Sequence, residues 1–125
     1  MTKSISENKF ILSYNEYGYY ELFVRDNVEI FIDDIHLIID AQKQLNGSKI
    51  PMLISGGQYS TTNTETLKYI SINENMPYSK CAAFIVSSIS QKLLGNFYLK
   101  IYKPQRPTKF FNNKIDAITW LKQHM

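Results

Sequence analysis

The stretch IPMLISGGQYSTTNTETLKYI, residues 50–70, decides the fold. IPMLIS is a short apolar run of strand length, SGGQYSTTNTET is polar and carries two glycines, and TETLKYI places Leu67 and Ile70 on one side of a helix. Thr62 and Glu65 match the S/T-x-x-E capping box, in which each side chain satisfies a free backbone N–H of the other. A fully apolar strand followed by a turn and an amphipathic helix calls for a sheet covered by helices, with parallel neighbours. The loop itself admits three readings. Free N–H groups at a helix start favour anions, and glycines let a ligand approach the backbone closely. In an open α/β sheet this loop lies beyond the carboxyl ends of the strands, where ligands bind. Neither G-x-x-x-x-G-K-[ST] nor G-x-G-x-x-G is present, and adjacent glycines with a cap are also what a plain turn needs. The plain connection leads, with ligand or partner contact and phosphorylation behind it. The candidate contact residues are Ser55, Gly56, Gly57, Ser60, Thr61 and Thr62.

Upstream, KFILSYNEYGYYELFVRD reads as a β-hairpin with strands near 9–15 and 19–26, turned at Asn15, Glu16 and Gly18. Its tyrosines are read as core and cross-strand packing residues. IFIDDIHLIIDAQKQLNG follows as a helix. Phe31, Ile35, Ile38, Ile39 and Leu45 share its inner face, Asp33 and Asp34 suit the first turn, and Asn46-Gly47 suits the end. Downstream, CAAFIVSS is a second buried strand. SQKLLGNFYLKIYKP is a helix capped by Ser90, with Leu93, Leu94, Phe97 and Ile101 inward and Pro104 as its stop. PTKFF is a last strand, and NNKIDAITWLKQH a last helix with an Asn113-x-x-Asp116 cap and Ala117, Trp120 and Leu121 buried. The expected architecture is a single α/β domain over residues 1–125. It has a five-stranded, mostly parallel mixed sheet, an N-terminal hairpin and four helices.

The chain has 125 residues, 44% of them hydrophobic and 20% charged, which suits one globular core. No apolar run approaches the roughly 20 residues of a membrane span, and MTKSISENKF lacks a signal-peptide core, so a cytoplasmic location is expected. The single cysteine, Cys81, opens an apolar run and reads as a core residue. His36 and Asp40 stand four apart on a helix, but the other histidine is His124, too few ligands for a metal site. With no nucleophile–base pair, no G-x-S-x-G elbow and no carboxylate pair in a cleft, neither catalysis nor a cofactor is expected. Charge is uneven: residues 1–90 carry a net −3 and residues 91–125 a net +6. Lys100, Lys103, Arg106 and Lys109 form a candidate basic patch, read first as a solvated face and second as an anion contact. No aromatic–basic motif of a nucleic-acid reader accompanies them.

The ending KPQRPTKFFNNKIDAITWLKQ, residues 103–123, together with the hairpin and the strand order, resembles the SpoIIAA-like (STAS-type) domains. More narrowly it resembles short, uncharacterised bacterial members, with Phe111, Ala117, Trp120 and Leu121 at the matching positions. The resemblance implies the fold described above. In regulatory STAS domains such as anti-sigma factor antagonists, a partner kinase phosphorylates a serine or threonine after a central strand. Ser60, Thr61 or Thr62 stands nearest to that place, but the Asp, two hydroxyls and Gly of the family pattern are absent. The implied function is a non-enzymatic regulatory or scaffolding domain acting through protein contacts. The alternative is a small-molecule or lipid carrier related in shape to SEC14-type domains. An apolar cavity favours the carrier, and a filled core with an exposed apolar patch favours the partner protein. A homodimer through the tyrosine-rich hairpin is also compatible with the sequence.

Overall fold

The computed structural model describes residues 3–125. Eight strands form in chain order: β1 (Lys3–Ser6), β2 (Phe10–Tyr14), β3 (Tyr20–Val24), β4 (Glu29–Ile30), β5 (Ile50–Gly56), β6 (Thr61–Thr62), β7 (Ser79–Ile85) and β8 (Thr108–Phe111). The helices are α1 (Ile32–Leu45), α2 (Thr64–Ile70), α3 (Ile89–Phe97) and α4 (Lys114–Lys122), and α3 runs on into a π-helical turn, Tyr98–Tyr102. The main sheet has six strands in the order β1-β2-β3-β5-β7-β8, and β4 and β6 pair separately in parallel. The first three strands run antiparallel and the rest are added in parallel. The expected five strands are all present. The sixth, β1, lies in the polar KSIS segment, which has no apolar run to announce it.

Alternation along the strands divides the core in two. Leu12, Tyr20, Leu22 and Met52 face α1, which contributes Ile35, Ile38 and Ala41. Leu53, Cys81 and Ala83 face the opposite way, toward Ala117 and Leu121 of α4. The hairpin has no bare edge, since β1 covers β2 and β5 covers β3. Tyr20 is fully buried and donates its hydroxyl to the Ser48 carbonyl at 3.0 Å, so the core packing expected of the tyrosines holds there.

Several local expectations are corrected. The N-cap of α2 is Asn63, whose side chain accepts from Thr66 N at 2.8 Å, while Thr62 is spent on β6 and donates to the Ile30 carbonyl at 2.6 Å. Ser88 rather than Ser90 caps α3, accepting from Gln91 N at 3.1 Å. Phe31 precedes α1 and is exposed. The Asn113 cap of α4 is as expected, accepting from Asp116 N at 2.9 Å. Trp120 is only partly buried, its ring lying 5.9 Å from Phe111 and 4.2 Å from His124. Ala117 and Leu121 occupy the fully buried positions instead.

The anchor of α4 is therefore Leu121. Leu121→Ala should lower unfolding free energy by about 2–5 kcal/mol, the range for a buried leucine. Trp120→Ala should cost less, because the lost ring is only partly buried. Urea denaturation of both variants checks the order, and a larger loss for Trp120→Ala would show that α4 is seated differently.

Candidate functional site

Between the α1 face of the sheet and the layer formed by α1, α2 and α3 lies a partly open cavity of about 170 Å³. Its floor comes from alternate residues of the sheet: Leu22 and Val24, Met52 and Ile54, Ala82 and Phe84, and Phe110. Its roof comes from Ile35 and Ile38 of α1, Thr66, Leu67 and Ile70 of α2, and Leu94 and Gly95 of α3. Ala82 gives the floor its depth, being the small residue paired with Met52 on one side and Thr108 on the other.

Seating of α3 depends on Gly95. A Cβ there would meet the Phe110 ring at 2.6 Å, so only glycine lets the helix rest on that ring. The Phe110 ring in turn stacks on Phe84 at 4.7 Å between centroids. This placement overturns the expected inner face of α3. Leu94, Gly95 and Tyr98 turn inward. Ile89 (77% exposed), Leu93 (65%), Phe97 (37%) and Ile101 (60%) form a stripe toward solvent. A helix apolar on nearly every side does not reveal its inner face through periodicity.

Five of the six loop residues singled out by sequence, Ser55, Gly56, Ser60, Thr61 and Thr62, line the cavity. The two glycines answer to close packing: a Cβ on Gly56 would meet Ser60 Oγ at 2.2 Å, and one on Gly57 would meet Asp26 Oδ1 at 2.0 Å. Ser60 is buried and donates from Oγ to the Gly57 carbonyl at 2.9 Å. Gln91 of α3 reaches the same turn, donating from Nε2 to the Ser60 carbonyl at 3.3 Å and the Gly57 carbonyl at 3.4 Å. Its Oε1 accepts from Ser87 N at 3.0 Å. Tyr59 stands 73% exposed with φ +61°, a left-handed conformation unusual for an aromatic residue. Thr61 is exposed.

The basic group is divided by the structure. Lys100, Lys103 and Lys109 are exposed, as is Lys92 beside the apolar stripe. Arg106 is buried (6% exposed) and lines the cavity, its Nη2 donating to the Ile70 carbonyl at 2.6 Å. Three buried polar atoms have no hydrogen-bond partner: Thr66 Oγ1 in the first turn of α2, Tyr98 Oη and Arg106 Nε. Tyr98 packs edge-on against Phe84 and Phe110, both cavity residues. Burial raises the Tyr98 pKa, and the nearby Arg106 guanidinium offsets part of that rise. Sequence reasoning missed Thr66, Gln91 and Tyr98. The available signals were a threonine on the inner face of a short helix and a glycine at mid-helix.

The remaining candidates carry no reactive arrangement. Cys81 is fully buried, and burial pushes its thiol up to about 11. His36 Nε2 lies 3.0 Å from the Tyr69 hydroxyl. Among the described residues no group of three or more His, Cys, Asp or Glu is placed to hold a metal ion. None of the helices among them is long and apolar enough to cross a membrane.

The chain belongs to a family described as a domain of unknown function, DUF7793, whose model matches residues 22–125. Among solved structures it is similar to the crystal structure of an uncharacterised DUF3478-family protein with a SpoIIAA-like fold from Shewanella loihica PV-4. The two are 17% identical over 97% of this chain and 92% of that one, with a TM-score of 0.55. The fold is thus SpoIIAA-like, as the C-terminal stretch implies, and likeness at this identity speaks to the fold alone. No curated protein matches the chain.

A thiol buried and raised in this way should be inert in the native state. At pH 8, Cys81 should react with an aromatic disulfide reagent about a hundredfold or more slowly before unfolding than after it. Equal rates in the two states would place the thiol outside the core.

Proposed function

We propose that this is a non-enzymatic binding domain whose role is to hold a small, mostly apolar molecule between the sheet and α3. The single observation that carries the proposal is the cavity of about 170 Å³ with its apolar floor and roof. A natural core is close-packed, and space of this size forfeits contact energy unless something occupies it. An apolar cavity of about 150 Å³ is enough to admit benzene, so a single ring or a short acyl chain is the scale of ligand that fits. The same arrangement supports a non-catalytic role. The residues around the cavity supply shape and a few donors, with no nucleophile beside a base.

Filling the floor tests the reading. Ala82→Leu should leave circular dichroism and melting temperature near wild type while weakening the binding of a single-ring apolar probe, fluorobenzene followed by fluorine NMR, by at least about tenfold. Unchanged probe affinity in a folded variant would exclude the cavity as the binding site.

A second reading, regulation through contacts with another surface, is favoured by the stripe of Ile89, Leu93, Phe97 and Ile101 on the outside of α3. Exposed apolar groups in a row are a recurrent mark of interaction sites. Lys92, Lys100 and Lys103 accompany the stripe, and residues 75–115 contain no Asp or Glu, so an acidic surface is the complementary partner. The same charge works against pairing two copies through this face. Vesicles with and without anionic lipid provide the measurement. Wild type should bind the anionic vesicles in a salt-sensitive way, and Leu93→Glu with Ile101→Glu should abolish binding without loss of fold. Equal binding to neutral vesicles, or none to either, would remove a lipid surface as the partner.

A further inference from the structure

Three buried polar atoms on or beside the cavity lining are able to donate and have no hydrogen-bond partner. Thr66 Oγ1, Tyr98 Oη and Arg106 Nε are buried without a hydrogen-bond partner, in residues that are 1%, 0% and 6% exposed. They come from α2, from the π-helical turn that packs on it, and from the loop before β8. Thr66 lies one helical turn before Ile70 on α2, and the Ile70 carbonyl accepts from Arg106 at 2.6 Å. Tyr98 begins the π-helical turn and packs on the cavity rings Phe84 and Phe110. Thr66 and Arg106 themselves line the cavity.

Arg106 also lacks a counter-ion. The ion pairs among the described side chains are Lys9–Asp34 and Lys114–Glu21, and neither involves it. A guanidinium stays protonated when buried, and an unpaired buried charge is costly. Its contacts with the carbonyls of Ile70 at 2.6 Å and Ile72 at 3.5 Å cap the end of α2 and offset part of that cost. They use one nitrogen of the fork and supply no negative charge.

We infer that the cavity is built for an acidic amphiphile: a short acyl chain or a single ring bearing one carboxylate, with the carboxylate received by Arg106 beside the Tyr98 hydroxyl. One buried positive charge balances a monoanion, whereas a phosphate dianion would leave a negative charge uncompensated in an apolar site. A planar carboxylate also matches the guanidinium fork. The tail would lie along Ile54, Ala82 and Phe84. The inference rests on the proposed ligand-binding role of the cavity and specifies the class of ligand.

The test compares octanoate with octanol as displacers of fluorobenzene, followed by fluorine NMR, from the wild-type protein at pH 7. Octanoate should bind about ten- to a hundredfold more tightly, the range of a charge-assisted hydrogen bond. Arg106→Met should bring octanoate down to the level of octanol while leaving octanol unchanged. Arg106→Lys, which keeps the charge and loses the fork, should retain part of the preference. If octanol displaces the probe as well as octanoate does, the carboxylate inference falls and the apolar site stands. If the probe binds but neither compound displaces it, the inference falls as well. If the probe itself does not bind, the cavity reading and the inference fall together. Should Arg106→Met fail to fold, the wild-type comparison still decides.

Discussion

The contact between Gly95 and the Phe110 ring fixes more of this molecule than any other. It sets α3 at a distance from the sheet that no other residue permits, since a Cβ would stand 2.6 Å from a ring carbon. Once the helix axis is placed there, its rotation follows. Leu94 faces the cavity, Tyr98 packs on the Phe84 and Phe110 rings, Gln91 reaches the loop after β5, and Leu93, Phe97 and Ile101 are left to solvent. Glycine in a helix interior costs roughly 1 kcal/mol relative to alanine. A helix tolerates that cost where close approach returns more in packing. The stack of Phe110 on Phe84 gives the helix a flat surface to approach.

The cavity is a compromise between apolar packing and polar groups that the fold leaves unsatisfied. A buried donor without a partner costs about 1–3 kcal/mol, and three such atoms belong to Thr66, Tyr98 and Arg106. Elsewhere the core treats its polar groups differently. Gln42, fully buried between α1 and the sheet, places Nε2 3.3 Å from Ser79 Oγ. Ser60 is buried yet bonded to the turn beside it. Polar groups that serve only architecture in this chain find partners nearby, apart from the Oε1 of Gln42 and the Oδ1 of Asn73. Both of those are acceptors and lie outside the cavity lining, whereas the unpaired groups capable of donating belong to residues that line the cavity or pack on its rings.

The order of strands and helices was legible in the sequence, because apolar runs of strand length alternate with helices bearing a clear apolar face. Asn113 and the Asn46-Gly47 ending were legible for the same reason, being local chemistry with local consequences. What escaped depends on contacts between distant segments. Thr62 looked like a helix cap until its pairing with Ile30 drew it into β6, and Asn63 took over the cap. The orientation of α3 was hidden because Leu93, Leu94, Phe97 and Ile101 are equally apolar, and a partner 15 residues away, Phe110, makes the choice. The loop after β5 stood out for its glycines and hydroxyls. Its position at the cavity is geometric, however, and the glycines themselves answer to Ser60 and Asp26. Strand β1 escaped because an edge strand of alternating small polar residues has little hydrophobic signal to offer.

One property of the sequence underlies both the outer and the inner surface of α3. From residue 75 to residue 115 there is no Asp or Glu, so this segment carries no acid of its own. On the outside the consequence is slight, because water solvates Lys92, Lys100, Lys103 and Lys109 whether or not an acid stands beside them. On the inside it is large. Arg106 is withdrawn from water, and neither ion pair among the described side chains, Lys9–Asp34 or Lys114–Glu21, includes it. The helix end at Ile70 supplies a partial negative charge, and a partial charge does not balance a whole one. The same absence that makes the outer face merely basic leaves a buried cation outside any ion pair beside an apolar space, and that charge is what the inferred carboxylate would balance.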